Sequence, residues 1–264
     1  MNGLHVFVQG LGLRGPGMAG WEAAQAILTG QAKLEPGPVT LPAPEALPPA
    51  ARRRIGIPVK LSMAVGFEAV SQAQLDPAEL ANVFCSTGGD CDNCHAILEA
   101  LASSDRLISP TRFHNSVHNA PSGYWSIATH CRAPSTSLCA YDATFSAALL
   151  EAASQAVSSG QHCLLVAYDT AYPQPLYAFR PIFHPFGVAM VLSAERNEHS
   201  LAELRLSLCE KTPTAMTKPE FEALRVGIPG ARSLPLLEIL AQKGSGRCTL
   251  EYLEGISLGV EVGA

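Results

Sequence analysis

Charged residues are scarce in this sequence, and basic residues are fewer than acidic ones. Charged side chains make up 16% of the 264 residues, the net charge is −5, and Arg52–Arg54 is the one run of adjacent basic residues. Nucleic acids and membrane surfaces are bound through extended basic patches. We therefore expect neither as a partner, and Arg52–Arg54 is the candidate contact for an acidic partner such as a carrier protein.

Long hydrophobic runs are missing too. No stretch approaches the length of a membrane-spanning helix. The opening residues MNGLHVFVQGLGLRG have no basic segment ahead of their short apolar run, as a secretory signal would require. Without such a signal, the eight cysteines are expected to be reduced thiols. These features predict a cytoplasmic protein.

What the sequence does contain is a regular alternation of strand-like and helix-like segments. This alternation predicts an α/β fold, with a mostly parallel mixed sheet covered by helices on both faces. HVFVQGLG reads as a strand closed by a glycine turn, and residues 35–50 hold six prolines, which predict an extended loop. The polar stretch AERNEHS divides the chain into residues 1–195 and a short α/β extension, 196–264, packed on the same core.

The segment CDNCH, from Cys91 to His95, matches the spacing of a haem-attachment or metal-binding motif. A second CxxC pair is missing. The alternative is an ordinary helix start in which Asp90 or Asp92 caps the first turn. We favour that alternative and predict neither a metal nor a cofactor, while a haem or metal protein that uses Cys91, Cys94 and His95 stays open.

The segment STSLCAYDATFSAALLEAASQ predicts a strand that runs into a helix. A helix N-terminus favours negative charge and can activate a thiolate. Cys139 lies three residues before the helix start, however, and Asp142 occupies the junction. We interpret Asp142 as a helix N-cap and Cys139 as a buried strand thiol. His114 and His118 are interpreted as packing histidines, with a catalytic role for any of these four residues as the weaker alternative.

The same segment carries a resemblance to a known family. VFVQGLG followed by GWEAAQAILTG, and LISP followed by NAPSG, resemble the N-terminal half of β-ketoacyl synthases, which have the thiolase fold. Residues 123–152 align without a gap to the family's G-x-x-S-I, Gly-Pro and nucleophile motifs, so that Ala143, Thr144 and Ala152 match. In that register the family's nucleophilic cysteine falls on Asp142. The resemblance implies that residues 1–195 form a ketosynthase-like half-fold.

The departures from the family pattern argue against independent catalysis. A condensing enzyme needs a thiolate to carry the acyl chain and two histidines for decarboxylation. His162, His184 and His199 follow position 142, and none lies in the family's H-G-T-G-T context. FHNSVHNAPSGYWSIA and ARSLPLLEIL are similar to the short chain-length-factor proteins of aryl-polyene and related pigment clusters, which pair with an active synthase.

This resemblance implies a non-catalytic chain-length factor. The chain would form a heterodimer with an active β-ketoacyl-[acyl carrier protein] synthase, in polyene, polyketide or fatty-acid-like biosynthesis, and meet the carrier protein through that complex. It further implies a set of side chains at the acyl tunnel or dimer interface: Thr87, Gly88, Phe113, Tyr124, Trp125 and Phe145. A core role is the alternative for Phe113, Tyr124 and Trp125, and a turn is the alternative for Thr87 and Gly88. A stand-alone acyltransferase or decarboxylase is the alternative function.

Overall fold

The computed structural model describes residues 3–263, which form one eight-stranded mixed sheet with helices on both faces. The strands follow one another in the sheet in the order β3-β2-β4-β5-β1-β6-β8-β7. Their bounds are β1 Leu4–Arg14, β2 Ala81–Cys85, β3 Ser135–Leu138, β4 Cys163–Asp169, β5 Phe186–Ser193, β6 Ala202–Cys209, β7 Gly246–Leu253 and β8 Ile256–Gly263.

Ten α-helices cover the sheet and its ends within the described part of the chain. Their bounds are α1 Trp21–Leu28, α2 Pro49–Arg52, α3 Ile57–Ala73, α4 Cys91–Ala102, α5 Pro110–Asn115, α6 Ala120–Thr129, α7 Thr144–Ser159, α8 Leu176–Phe179, α9 Pro219–Gly227 and α10 Leu234–Ala241. Between residues 3 and 263, no helix is both long enough and apolar enough to cross a membrane.

The mixed, helix-covered sheet is confirmed, but the expectation that it is mostly parallel is wrong. Strand β2 runs parallel to β3 and β4, and the other five neighbouring pairs are antiparallel. Parallel neighbours need a long crossover connection. The connection from β4 to β5 holds only the four-residue α8, and β7 and β8 are joined by a tight turn. The tight turn between β7 and β8 requires antiparallel pairing there, and the other antiparallel pairs depend on how the chain returns to the sheet.

Alternate side chains of β4 enter two different cores, which is why the strand is apolar up to its last residue, Asp169. Leu165 and Ala167 belong to the core on the α7 side, together with residues of α1 and α10. Leu164, Val166 and Tyr168 belong to the core on the α3 and α6 side. A strand that is buried on both faces shows no alternation of apolar and polar residues. Strand β4 therefore lies between the two cores.

Two glycines inside β1 allow α3 to pack directly against the sheet. The sequence predicted a glycine turn after HVFVQ, but β1 continues through Gly10 and Gly12 to Arg14. A Cβ atom at Gly10 would lie 2.1 Å from the carbonyl oxygen of Ala69, and one at Gly12 would lie 2.1 Å from that of Val65. The glycines are therefore required by the close approach of two backbones.

Residues after 195 extend the same sheet. Strand β6 pairs with β1, and Leu204, Leu236 and Leu258 share the core of Val6. The division into residues 1–195 and 196–264 stays a prediction. Residues 33–44 contain neither helix nor strand, in line with their prolines. The short helices α2, α5, α8 and α9 were not predicted, because each spans three turns or fewer and lies in a segment that reads as a loop.

The close contact between β1 and α3 generates a stability prediction. Gly12→Ala should lower the free energy of unfolding by about 2 kcal/mol or more, because the new methyl group overlaps a backbone oxygen that cannot move alone. Urea unfolding measures this loss. Gly123→Ala is the matched control, because a Cβ atom there meets nothing within 4 Å and alanine favours the helix by up to about 1 kcal/mol. Equal stability of the Gly12→Ala variant and the wild type would contradict the packing described here.

Candidate functional site

A tight reversal joins β3 to α7 and places Asp142 at the strand–helix junction. Residues 141–143 form one turn of 3-10 helix, and Tyr141 adopts a φ of 52°. The side chain of Thr144 closes the reversal, because its hydroxyl accepts a hydrogen bond from the Ala140 amide at 3.1 Å and donates to the carbonyl of Tyr141 at 2.6 Å. A threonine at this position, which matches the family motif, therefore fixes the turn.

Two arginines hold the carboxylate of Asp142. Oδ1 accepts from Nη2 of Arg180, and Oδ2 lies 3.1 Å from Nη2 of Arg232. Arg232 also forms an ion pair with Glu251 through Nη1. The N-cap interpretation of Asp142 is wrong, because α7 has no side-chain cap. Two guanidinium groups bind a carboxylate more strongly than the amides of a helix end do.

Arg180 is itself held by two further contacts. Its Cζ lies 3.6 Å from the centroid of the Tyr141 ring, and its Nη2 donates to the hydroxyl of Thr87 at 3.1 Å. Burial lowers the pKa of Arg232, while the charge of Asp142 acts in the opposite direction. Within residues 3–263, Nη1 of Arg180 and Nε of Arg232 are buried without a hydrogen-bond partner. The cluster thus carries more donors than Asp142 and Glu251 satisfy.

Beneath this cluster, the buried side chain of Asp169 ties three segments together. It accepts hydrogen bonds from the Thr87 amide at 2.9 Å, the Gly230 amide at 2.7 Å and the Ser86 hydroxyl at 3.2 Å. Burial raises the pKa of Asp169 to about 6, against the opposing effect of these donors and of Arg180. Asp169 positions the turns that carry Thr87 and Arg232, and through them the partners of Asp142.

Cys139 is exposed and lies just beyond the end of β3, so its interpretation as a buried strand thiol is wrong. Its Sγ lies 3.3 Å from the carbonyl oxygen of Thr87. The predicted strand TSLCA ends at Ala140, whereas β3 ends at Leu138, because the chain must turn into the reversal at Tyr141. Gly88 fits tightly, since a Cβ atom there would lie 2.4 Å from Oη of Tyr172. Tunnel-lining roles for Thr87 and Gly88 stay predictions.

The predicted interface aromatics divide into core and surface residues. Trp125, Tyr124 and Phe145 are buried, and the Tyr124 hydroxyl donates to Asn115 at 2.9 Å. The core alternative for Trp125 and Tyr124 is thereby confirmed. Phe113, in contrast, has 66% of its surface exposed, so its core alternative is wrong. It lies on the short helix α5, whose outer side contacts no other part of the described chain.

The two histidines of this region have different surroundings. His114 is exposed at the end of α5. Nε2 of His118 lies 3.0 Å from the carbonyl oxygen of Ser86, next to the turn that Asp169 holds. The hydrogen-bonded packing role is confirmed for His118, and His114 packs against no core. A catalytic role for either histidine stays a weaker prediction.

The CDNCH segment begins α4, as the helix-start interpretation predicts. Asp90 caps the helix by accepting from the Asn93 amide at 3.0 Å. The Cys91 thiol donates to the Gly88 carbonyl at 3.4 Å, and His95 pairs with Glu99. Burial raises the pKa of Cys91 to about 11 and also raises that of Cys94. Throughout residues 3–263, no three His, Cys, Asp or Glu side chains are arranged to hold a metal ion.

A basic cleft of about 420 Å³ lies between α2, α4 and α5. Its walls include Arg53, Arg54 and Arg112, which form no ion pair within the described part of the chain. Asp90 and Asp92 also line the cleft. The use of Arg52–Arg54 by an acidic partner stays a prediction, and the structure adds Arg112 to that surface.

Sequence reasoning missed Arg180, Arg232 and Asp169. Arg232 lies in the segment ARSLPLLEIL, which carried the resemblance without pointing to this arginine, and Arg180 lies in no segment singled out from the sequence. Both reach Asp142 only because the chain folds back across the carboxyl ends of β2 and β4. Asp169 carried a weak signal, since a carboxylate directly after the apolar run CLLVAY must be paired or neutral. The site is therefore a carboxylate at a strand–helix junction, paired with two arginines that are distant in sequence.

A model of the N-terminal domain of β-ketoacyl synthases matches residues 20–243. The chain belongs to this family. A search of the curated proteins finds no match. The matched range includes Asp142, and its placement at the family's nucleophile position stays a prediction.

Several solved structures share the fold at low sequence identity. A chain from the complex of a ketosynthase with its chain length factor from Xenorhabdus doucetiae has a TM-score of 0.73 and 19% identity, and the match covers 98% of this chain and 99% of that chain. A chain of the ishigamide ketosynthase/chain length factor has a TM-score of 0.72 and 13% identity, with coverages of 97% and 98%. These similarities show a thiolase-like ketosynthase fold.

A longer ketosynthase matches this chain only in part. Ketosynthase twelve of the bacillaene polyketide synthase in Bacillus amyloliquefaciens has a TM-score of 0.57 and 14% identity. The match covers 82% of this chain and 46% of that chain. The shared fold is thus about half of the longer ketosynthase.

The raised pKa of Asp169 generates a pH prediction. Its pKa rises from 3.8 to about 6 in the folded chain, so the folded state holds this proton more tightly than the unfolded state. The resulting stabilisation is present below pH 4 and is lost as the pH rises through 6. Relative to Asp169→Asn, the wild type should lose roughly 2–3 kcal/mol of unfolding free energy between pH 4 and pH 7.

Urea unfolding of both proteins across this pH range measures the difference. The contributions of the other titrating groups to the unfolding free energy are common to both proteins and cancel in the difference. The stability lost by placing an asparagine amide at position 169 does not change with pH. Parallel stability curves for the two proteins would show that Asp169 titrates normally.

Proposed function

We propose that this chain is the non-catalytic chain-length-factor subunit of a β-ketoacyl-[acyl carrier protein] synthase complex, acting in polyene, polyketide or fatty-acid-like biosynthesis. The observation that carries the proposal is the pairing of Asp142 with Arg180 and Arg232 at the family's nucleophile position. A condensing enzyme holds the acyl chain there as a thioester, and a carboxylate cannot form one. The active partner therefore supplies the cysteine and the histidines.

The ion pairs also disfavour a catalytic role for Asp142 as a base. Both of its oxygens already accept from guanidinium groups. A general base must have a lone pair free to reach the proton that it removes. Each oxygen of Asp142 keeps a second lone pair, but taking up a proton would neutralise the carboxylate and weaken both ion pairs, so Asp142 is better suited to holding the junction together.

Exposed apolar side chains support a partner subunit. Residues 98–117 contain five large hydrophobic side chains with high exposure: Leu98, Leu101, Leu107, Phe113 and Val117. Such concentrations on a surface mark interaction sites. Strand β3 is a further candidate for the interface. It is an edge strand that pairs with β2 alone among the described residues, so its outer edge is open. An interface over these features is expected to bury more than about 2,000 Å².

The related structures support the same assignment. Two of them pair a ketosynthase with a chain length factor, and a third, at 13% identity and a TM-score of 0.72, contains an acyl carrier protein with its ketosynthase. We propose a heterodimer with the active synthase by analogy, with the carrier protein reaching this chain through the complex. The aryl-polyene assignment rests on the sequence resemblance alone.

Co-purification with the synthase tests the interface. We expect the chain to be poorly soluble or self-associated when it is expressed alone, and to form a stable complex when it is co-expressed with its synthase. Phe113→Asp should reduce the recovered complex at least tenfold, since it puts a charge among apolar side chains. Val226→Asp is the control, because Val226 is 58% exposed on α9, away from this surface. A stable wild-type monomer that ignores the synthase would overturn the proposal.

Activity of the complex distinguishes this proposal from a stand-alone enzyme. With acyl- and malonyl-loaded carrier protein as substrates, condensation should persist at more than half of the wild-type rate in a complex carrying Cys139→Ala. Replacement of the partner's nucleophilic cysteine should abolish it, because that thiol carries the acyl chain. If the isolated chain turns over these substrates and Cys139→Ala stops it, the stand-alone acyltransferase hypothesis is the correct one.

A further inference from the structure

Arg180 and Arg232 have the geometry of a carboxylate-binding site. Each oxygen of Asp142 is bound by a different guanidinium group, Oδ1 by Arg180 and Oδ2 by Arg232 at 3.1 Å. Arginine is the side chain best suited to this task, because its charge is permanent and its donors lie in a plane that matches a carboxylate. The pair thus binds a carboxylate from two sides.

Both arginines have anchors that do not depend on Asp142. Arg180 is held by the Thr87 hydroxyl and by the ring of Tyr141. Arg232 is held by Glu251, and the turn that carries it is fixed by the hydrogen bond between Asp169 and Gly230. Removal of the Asp142 carboxylate would therefore leave two preorganised guanidinium groups. Glu251 would then be the one carboxylate that forms an ion pair with either arginine in the described part of the chain.

The space that the carboxylate occupies opens to solvent. The side chain of Asp142 is 34% exposed, whereas those of Arg180 and Arg232 are 16% and 12% exposed. A small anion could enter from the solvent side and meet arginines that are already desolvated. Desolvated charges bind counter-ions more strongly than exposed ones do.

We propose that Arg180 and Arg232 form a carboxylate-binding site that the chain fills with its own Asp142. The side chain acts as a built-in ligand and keeps carboxylate-bearing acyl groups away from the junction. When the side chain at position 142 is shortened, the site accepts a small free carboxylate. This inference concerns residues of this chain alone and holds with or without the proposed partner.

Chemical rescue tests the site. Asp142→Ala keeps the Cβ atom and removes the carboxylate, which formate then replaces. The melting temperature of this variant should lie several degrees below that of the wild type, roughly 2–6 °C, and sodium formate at pH 7 should restore at least half of the loss with a saturable dependence. Sodium chloride at equal ionic strength should not. The wild type and Asp142→Asn, in which the space is filled, should not respond to formate.

A double variant controls for general effects of the anion. In Asp142→Ala/Arg232→Met, one guanidinium group is missing, and formate should no longer raise the melting temperature. If Asp142→Ala does not fold well enough for melting, Asp142→Ser takes its place, with formate affinity measured by calorimetry. Equal responses of all variants to formate, or the absence of any response in both Asp142→Ala and Asp142→Ser, would overturn the proposal.

Discussion

The ion pairs of Asp142 with Arg180 and Arg232 are the interaction on which the functional account depends. They join the β3–α7 junction to the segments after α8 and before α10. Each arginine is largely buried, and breaking a desolvated ion pair leaves an uncompensated charge. The carboxylate is thus a structural member of the site. In the function proposed above, the same residue fixes local structure and takes the place of the thiol that would carry an acyl group.

The sheet makes this arrangement possible. The carboxyl ends of β2, β3 and β4 meet at one edge because these strands are parallel. Asp169, at the end of β4, binds the turn after β2 and the turn at Gly230. Segments distant in sequence are thereby brought within hydrogen-bond distance of the nucleophile position. The buried side chain of Asp169 thus positions the segments whose side chains form the ion pairs with Asp142.

The sequence predicted the elements of the fold better than their directions. Long apolar strands such as β4 and long helices such as α3 and α7 have clear patterns, and the family register identified Asp142. Strand direction depends on how the chain returns between strands, which the apolar pattern does not encode, so the parallel share was overestimated. No sequence pattern indicated the role of Arg180 or Arg232, because that role follows from tertiary contacts. Cys139 looked buried because an apolar neighbourhood does not reveal where a strand ends.

Intact-mass spectrometry of the reconstituted complex tests the central claim most directly. The complex is incubated with acyl-loaded carrier protein, and the reaction is quenched before the acyl group is released. The mass of each subunit is then measured. The account predicts an acyl adduct on the synthase subunit and an unmodified mass for this chain. An acyl adduct on this chain, at Cys139 or any other cysteine, would contradict the account.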